Sequence, residues 1–354
     1  MKLHLLSILA CSFCARDLRY ESLEGHPRED EEIETGSLRC AGCGAGFPIK
    51  DGIPRLRQED ASRKAREDSA PVSGVAKTKE SFGFEWHRYP GPRPEDRGLF
   101  LEETQLDETG LEGRLILDAG CGMGRYTHVA LSLGAEVVSL DLSDSLTRLI
   151  PEMMENPKLH VVQGDLLHPP LKPGVFDIVY SQGVIHHTAD TRRAFDRIAN
   201  LVKRDGLLSV WVYGTPGSYA SFRTNPLRSN RRWLRRALPL VWVGVWIRQI
   251  LSDLLRVFTT RMPVPVLYAL CYPLTVMGAV PLLKYLTFSV DPEFQVRLIE
   301  NFDWLAPPFQ TKHTKEEFGA WFKENGYELL SRLPHGVVPK IGAIGRRKSK
   351  PGAA

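Results

Sequence analysis

Leu115-Ile-Leu-Asp118-Ala-Gly120-Cys-Gly122-Met-Gly124-Arg-Tyr126 is the stretch that decides the fold. An apolar run ends in an acid, three alternate glycines follow, and a helix begins, so the chain leaves a buried strand through a turn almost free of Cβ atoms. Such a turn lets backbone N–H groups approach a ligand closely. A dinucleotide fingerprint would read Gly-x-Gly-x-x-Gly. Here the third glycine comes one residue early and Asp118 precedes the first, so the loop is not shaped for a pyrophosphate.

Further apolar runs follow at Val137–Leu140, Leu159–Val162, Val175–Tyr180 and Leu207–Tyr213, with helix-length segments between them. One such segment, Asp190 to Arg204, sets Ala194, Phe195, Ile198, Leu201 and Val202 on one face. Strand, helix, strand at this spacing predicts an α/β fold, a doubly wound and mostly parallel sheet covered on both faces. The alternation stops at Gly214 and resumes at Thr314, where Thr314 and Glu317 predict a capping box for a helix running to about Asn325 and ended by Gly326. Tyr327–Leu333 and Ile341–Arg346 then read as a closing pair of strands.

The second and third strands each end in an acid, Asp141 and Asp165. In an open parallel sheet ligands lie across the carboxyl ends of the strands, so Asp118, Asp141 and Asp165 are expected to face one crevice, where a carboxylate after the second strand can accept both ribose hydroxyls. Any one of them alone reads as a cap or a solvated turn residue. Three in register beside the glycine loop read as a binding site.

This constellation resembles the class I S-adenosylmethionine-dependent methyltransferases, type 11-like, over roughly 111–213 plus the final helix and strands. The first motif matches Asp118-Ala-Gly-Cys-Gly-Met-Gly124, the ribose acid Asp141, the adenine-side acid Asp165 with Leu166, and the fourth motif Phe176-Asp-Ile-Val-Tyr-Ser-Gln-Gly-Val-Ile-His-His187. The resemblance implies a Rossmann-like, seven-stranded sheet with the last strand antiparallel and S-adenosyl-L-methionine as cofactor. It would be held by Asp118, Gly120, Cys121, Gly122, Gly124, Asp141, Leu142, Asp165, Leu166, Ser181 and Gln182. Methyl transfer would go to a nucleophile near the fourth strand, where His186 or His187 is placed to act as a base. The competing reading makes the histidine pair structural. Trp86 and Tyr126 are candidates for the cofactor pocket, and His313 is a weaker catalytic candidate.

With 354 residues the chain holds two or three units, and 43% hydrophobic with 25% charged residues excludes a disordered, collagen-like or disulfide-scaffold protein. An excess of 46 bases over 42 acids is too slight to argue for nucleic acid. Four of six cysteines form Cys11-x-x-Cys14 and Cys40-x-x-Cys43, which reads as a reduced, cytoplasmic protein with one structural Zn²⁺ held by four thiolates and no open position. Two redox pairs are the alternative. The acidic Glu29–Glu32 stretch between the knuckles counts against a nucleic-acid finger. The unit resembles zinc ribbons attached to some methyltransferases, down to its Phe47–Pro54 tail. The N-terminal MKLHLLSILAC imitates a lipoprotein signal, but its apolar run of eight residues contains His4, and the chain is read as unprocessed.

The domain plan is therefore a zinc ribbon over 1–54, a linker over 55–80, the methyltransferase core over 81–213 with an aromatic cap (Phe82, Phe84, Trp86, Tyr89), a helical apolar insertion over 214–313, and closing elements over 314–348. In the insertion Arg223, Arg228, Arg231, Arg232, Arg235 and Arg236 occur with no acid among them, and Ala237–Ile247 and Met262–Leu283 are uncharged. Pro263, Pro265, Pro273 and Pro281 argue against a membrane span. A lid packed on the domain, or a lid that also makes peripheral membrane contact through 223–290, both fit. The leading expectation is methyl transfer to a small, apolar or lipid-like acceptor. An RNA methyltransferase with a zinc finger is the alternative, with nucleic acid disfavoured, and a non-catalytic membrane-associated adaptor comes third. The acceptor and the oligomeric state are not expressed in the sequence.

Overall fold

The structure, a computed structural model, describes residues 1–21, 32–62, 74–215, 232–280, 283–289, 291–333 and 340–349. Glu29 to Glu31, Arg223, Arg228, Arg231 and Pro281 lie outside the described residues, as do the side chains of Arg232, Arg235 and Arg236. Four strands, β1 (Leu18–Glu21), β2 (Gly36–Cys40), β3 (Gly46–Lys50) and β4 (Ile53–Pro54), make an antiparallel N-terminal sheet. Seven more make the main sheet: β5 (Leu115–Ala119), β6 (Glu136–Asp141), β7 (Leu159–Gln163), β8 (Phe176–Gln182), β9 (Val202–Tyr213), β10 (Tyr327–Arg332) and β11 (Lys340–Arg347). Their order is β10-β11-β9-β8-β5-β6-β7, parallel from β9 to β7, with β11 antiparallel to both its neighbours. The expected seven-stranded, mostly parallel sheet is thus observed.

The helices are α1 (Val75–Arg88), α2 (Asp96–Thr104), α3 (Arg125–Ser132), α4 (Ile150–Glu155), α5 (Thr191–Ala199), α6 (Arg232–Thr259), α7 (Val264–Met277), α8 (Phe294–Leu305) and α9 (Lys315–Glu324). Capping sets several of their ends. Asp190 accepts from Arg193 N ahead of α5, and Thr314 with Glu317 forms the expected capping box of α9. Helix α5 stops at Ala199, five residues before the expected end, because Val202 pairs with Phe176 and opens β9 early. A register shift then sets Leu207 opposite Ile178, with Asp205 at φ 62° in the excursion between.

The stretch expected as a linker is shorter at both ends. Leu56 N donates to Gln163 O at 2.8 Å, Arg57 is buried and bidentate to Asp60, and α1 already begins at Val75. The ribbon therefore packs on the β7 edge, where Leu5, Leu9, Leu38 and Phe47 share one core with Leu140, Val162, Leu166 and Leu171. In the insertion, α6, α7 and α8 are helical as expected. Among the described residues no helix is long and apolar enough to cross a membrane.

Candidate active site

A cavity of about 320 Å³ opens at the carboxyl ends of β5, β6, β8 and β9, under residues of α1 and α8. Gly120 N and Cys121 N donate to Leu140 O at 2.7 and 3.1 Å, so the glycine loop is tied to β6. Gly120 sits at φ +92°, and a Cβ there would lie 2.3 Å from Val184 Cγ1. The loop cannot take this path with a side chain at that point.

Asp118, Asp141 and Asp165 all line the cavity, as do Gly120, Cys121, Leu142, Leu166 and Gln182. Asp141 accepts from Gly122 N (2.9 Å) and from Ser143 N and Oγ (2.7 Å each), and burial raises its carboxyl. Asp118 accepts from Thr127 Oγ1 at 2.8 Å and is pushed up to about 7, first by burial. Asp165 accepts from Leu167 N at 2.9 Å. Three expected cofactor residues stand behind the wall rather than on it. The Trp86 ring covers Gly122, Leu149 packs on Gly124, and Ser181 spends its hydroxyl on Ala119 O at 2.8 Å. Trp86 and Tyr126 do line the cavity.

The histidine pair divides. His186 is fully buried behind Tyr213, with ring centroids 4.0 Å apart, and does not line the cavity, so its expected catalytic position is corrected. His187 does line it. Its Nδ1 lies 2.9 Å from Phe309 O and so carries the proton and donates, leaving Nε2 with a lone pair. Burial pushes its imidazole down to about 3, so near neutrality His187 stays uncharged, keeping the Nδ1 proton and accepting hydrogen bonds at Nε2 without holding a second proton there. His313 contacts Glu317 and Thr311 away from the cavity.

The far end of the cavity carries residues that the sequence reading did not single out: Glu85 from α1, Glu103 from α2, Trp211 and Tyr213 from β9, Glu300, Asp303 and Trp304 from α8, and Lys340. Glu103 is a hub, accepting from Tyr126 Oη at 2.8 Å and Trp211 Nε1 at 2.9 Å and pairing with Lys340. A signal was available: Glu85 stands in Phe84-Glu-Trp86 and Asp303 in Phe302-Asp-Trp304, each a lone acid between aromatic residues.

At the ribbon, the ligand atoms of Cys11, Cys14, Cys40 and Cys43 all lie within 4.8 Å of one another, with Cys11–Cys43 sulfurs at 3.6 Å and Cys14–Cys40 at 3.4 Å. A tetrahedral Zn²⁺ with bonds of about 2.3 Å needs sulfurs about 3.8 Å apart, so the four thiols fit that ion after a small adjustment. Gly42 N and Cys43 N point at Cys40 Sγ (3.3 and 3.5 Å), which orients that ligand.

Residues 117–210 match the family model described as methyltransferase domain, and residues 2–52 match that of Trm112p-like protein. A ribosomal RNA small subunit methyltransferase A of Synechococcus sp. is 30% identical over 155 residues, covering 40% of this chain and 53% of the relative. The malonyl-[acyl-carrier protein] O-methyltransferase of Methylovorus sp. is 30% identical over 138 residues, covering 36% and 45%. The chain spans about half the length of these curated relatives. Among solved structures, magnesium protoporphyrin IX methyltransferase from Synechocystis aligns over 80% of this chain and 92% of its own at 13% identity and a TM-score of 0.41. The chain joins a methyltransferase domain, matched over 117–210, to an N-terminal Trm112p-like domain, matched over 2–52.

Proposed function

We propose that this methyltransferase acts on a small molecule with an apolar body. The carrying observation is that one cavity reaches from the Asp141 carboxylate and the glycine loop to an aromatic wall built by β9 and the insertion. The residues at its near end fit S-adenosylmethionine. Asp141 keeps one lone pair, on Oδ2, for a ribose hydroxyl, Asp165 and Leu166 stand on the adenine side, and at Gly120 the loop reaches the cavity wall as bare backbone. When bound, the cofactor supplies a methyl group already activated by its sulfonium. The protein's contribution is alignment and exclusion of water: Trp86 and Phe82 cover the cavity from α1, and Trp211, Tyr213 and Trp304 wall its far end. The test is incubation with methyl-labelled S-adenosylmethionine and a lipophilic cell extract. Label in a new organic-phase compound is expected. Label on RNA instead would favour the second reading, for which the resemblance to a ribosomal RNA methyltransferase speaks.

The insertion also supports peripheral contact with an anionic bilayer. Val243, Ile247, Ile250, Leu254 and Phe258 recur every three to four residues on α6 and are exposed, Phe258 at 68%. The sequence adds Arg232, Arg235 and Arg236 at the start of the same helix with no acid beside them. Co-sedimentation with phosphatidylglycerol vesicles is expected for the native chain, weaker with phosphatidylcholine, and lost in Ile250→Glu/Leu254→Glu. Equal behaviour of native and variant chains, or burial of this face in a dimer, would overturn it.

A further inference from the structure

Three acids face the far end of the cavity from two helices: Glu85 on α1, and Glu300 and Asp303 on α8. Glu300 accepts from Ser289 Oγ. Glu85 Oε2 and Asp303 Oδ1 are buried and have no hydrogen-bond partner among the described residues, although Glu85 is only 4% exposed. Asp303 has one neighbour for its other oxygen, the Tyr213 hydroxyl at 3.4 Å. The nearby cations spend their hydrogen bonds elsewhere, although the charge of Arg256 still acts on Asp303. Arg256 donates to Trp304 O (3.1 Å) and Pro307 O (2.7 Å), and Lys340 pairs with Glu103.

A buried carboxylate without a donor is disfavoured as the anion and takes up a proton. Here burial, joined by the charges of the neighbouring acids, pushes Glu85 well above the usual carboxylate range and Asp303 up to about 7. The penalty on the anion is offset when a cation enters. The wall beside these acids suits one, since Tyr213 stacks on Trp304 (4.9 Å, 16°) and Trp304 on Phe288 (5.8 Å, 19°), a π-rich surface that attracts ammonium groups. Asp303 meets Tyr213 of β9, and Glu85 lies close enough to feel the charges of Asp303 and Glu300, whereas the ribose and adenine acids follow β6 and β7, which assigns the three acids to the acceptor rather than the nucleoside.

We propose that the acceptor atom is a basic nitrogen, an amine on an apolar body, whose ammonium is held by Glu85 and Asp303 against Tyr213 and Trp304. This rests on the methyltransferase reading above and adds the class of acceptor. One carboxylate takes a proton from the ammonium and frees its lone pair. The nitrogen forms the new N–C bond while the methyl C–S bond breaks, its electron pair staying on sulfur as the thioether. His187 serves only as a hydrogen-bond acceptor beside this event.

The experiment is isothermal titration of the intact, zinc-loaded protein saturated with S-adenosylhomocysteine, using octylamine and 1-octanol as probes. Octylamine is expected to bind at least about tenfold more tightly, a preference lost in Glu85→Gln/Asp303→Asn while affinity for S-adenosylhomocysteine stays within about twofold. Turnover with S-adenosylmethionine should give N-methyloctylamine. Equal binding of amine and alcohol by the native protein overturns the proposal, with or without a folded variant. So does a variant that loses S-adenosylhomocysteine together with the amine, since the acids would then serve the cofactor's own ammonium. Failure of the native protein to bind S-adenosylhomocysteine would instead overturn the underlying methyltransferase reading.

Discussion

Gly120 carries the tightest local constraint at the cavity, because its φ of +92° and the 2.3 Å approach of Val184 act on the same atom. Gly120→Ala is expected to destabilise the fold by about 2–4 kcal/mol, the sum of backbone strain and overpacking. Adding Val184→Ala should recover the packing part only, which denaturant midpoints will separate. The buried acids give a pH signature. Asp118 and Asp303 are each pushed from an ordinary 3.8 up to about 7, first by burial. Between those values the folded chain keeps protons on these two acids that the unfolded chain releases, so their contribution to stability falls as pH rises from about 4 to about 7, while the neutral, buried His187 works in the opposite sense. The check is therefore the difference: the Tm of the native chain minus that of Asp303→Asn should fall across that window. Asp118 and Asp141 were legible because each ends an apolar run. Glu85 and Asp303 carried only the weak signal of a lone acid between aromatic residues, and only the packing of α1 against α8 brings the two together.

The ribbon is tied to the carboxyl ends of β6 and β7 through a short segment after β4. Leu56 N donates to Gln163 O at 2.8 Å, and Arg57 Nη1 reaches Leu142 O at 3.2 Å, the carbonyl next to Asp141. Stripping zinc with a chelator, or Cys40→Ser, is therefore expected to unfold the ribbon and weaken S-adenosylhomocysteine binding by about tenfold, with recovery on zinc addition to the native chain. Titration calorimetry before and after chelation checks this, and unchanged affinity in the zinc-free protein would refute the coupling. This segment was misread as solvated linker because Arg55, Arg57 and Asp60 look like surface charges, yet they satisfy one another and Gln163 on folding. The strands β5 to β8 and helix α9 were readable from hydrophobic period and capping alone. The α5–β9 boundary was not, because Leu201 and Val202 fit the helical face and the buried strand equally well.

Across the whole molecule, the proposed function has the sheet supply the cofactor acids, the ribbon brace the ends of β6 and β7, and the insertion close the acceptor end while leaving an apolar face outside. All of this depends on one nucleoside seat at the carboxyl ends of β5, β6 and β7. The direct measurement is isothermal titration of the intact, zinc-loaded protein with S-adenosylhomocysteine, repeated on Asp141→Ala. The account predicts one site per chain, weakened at least about tenfold in the variant by loss of ribose contacts and of the tie to Gly122. No binding by the native protein, or equal binding by the two, would contradict it.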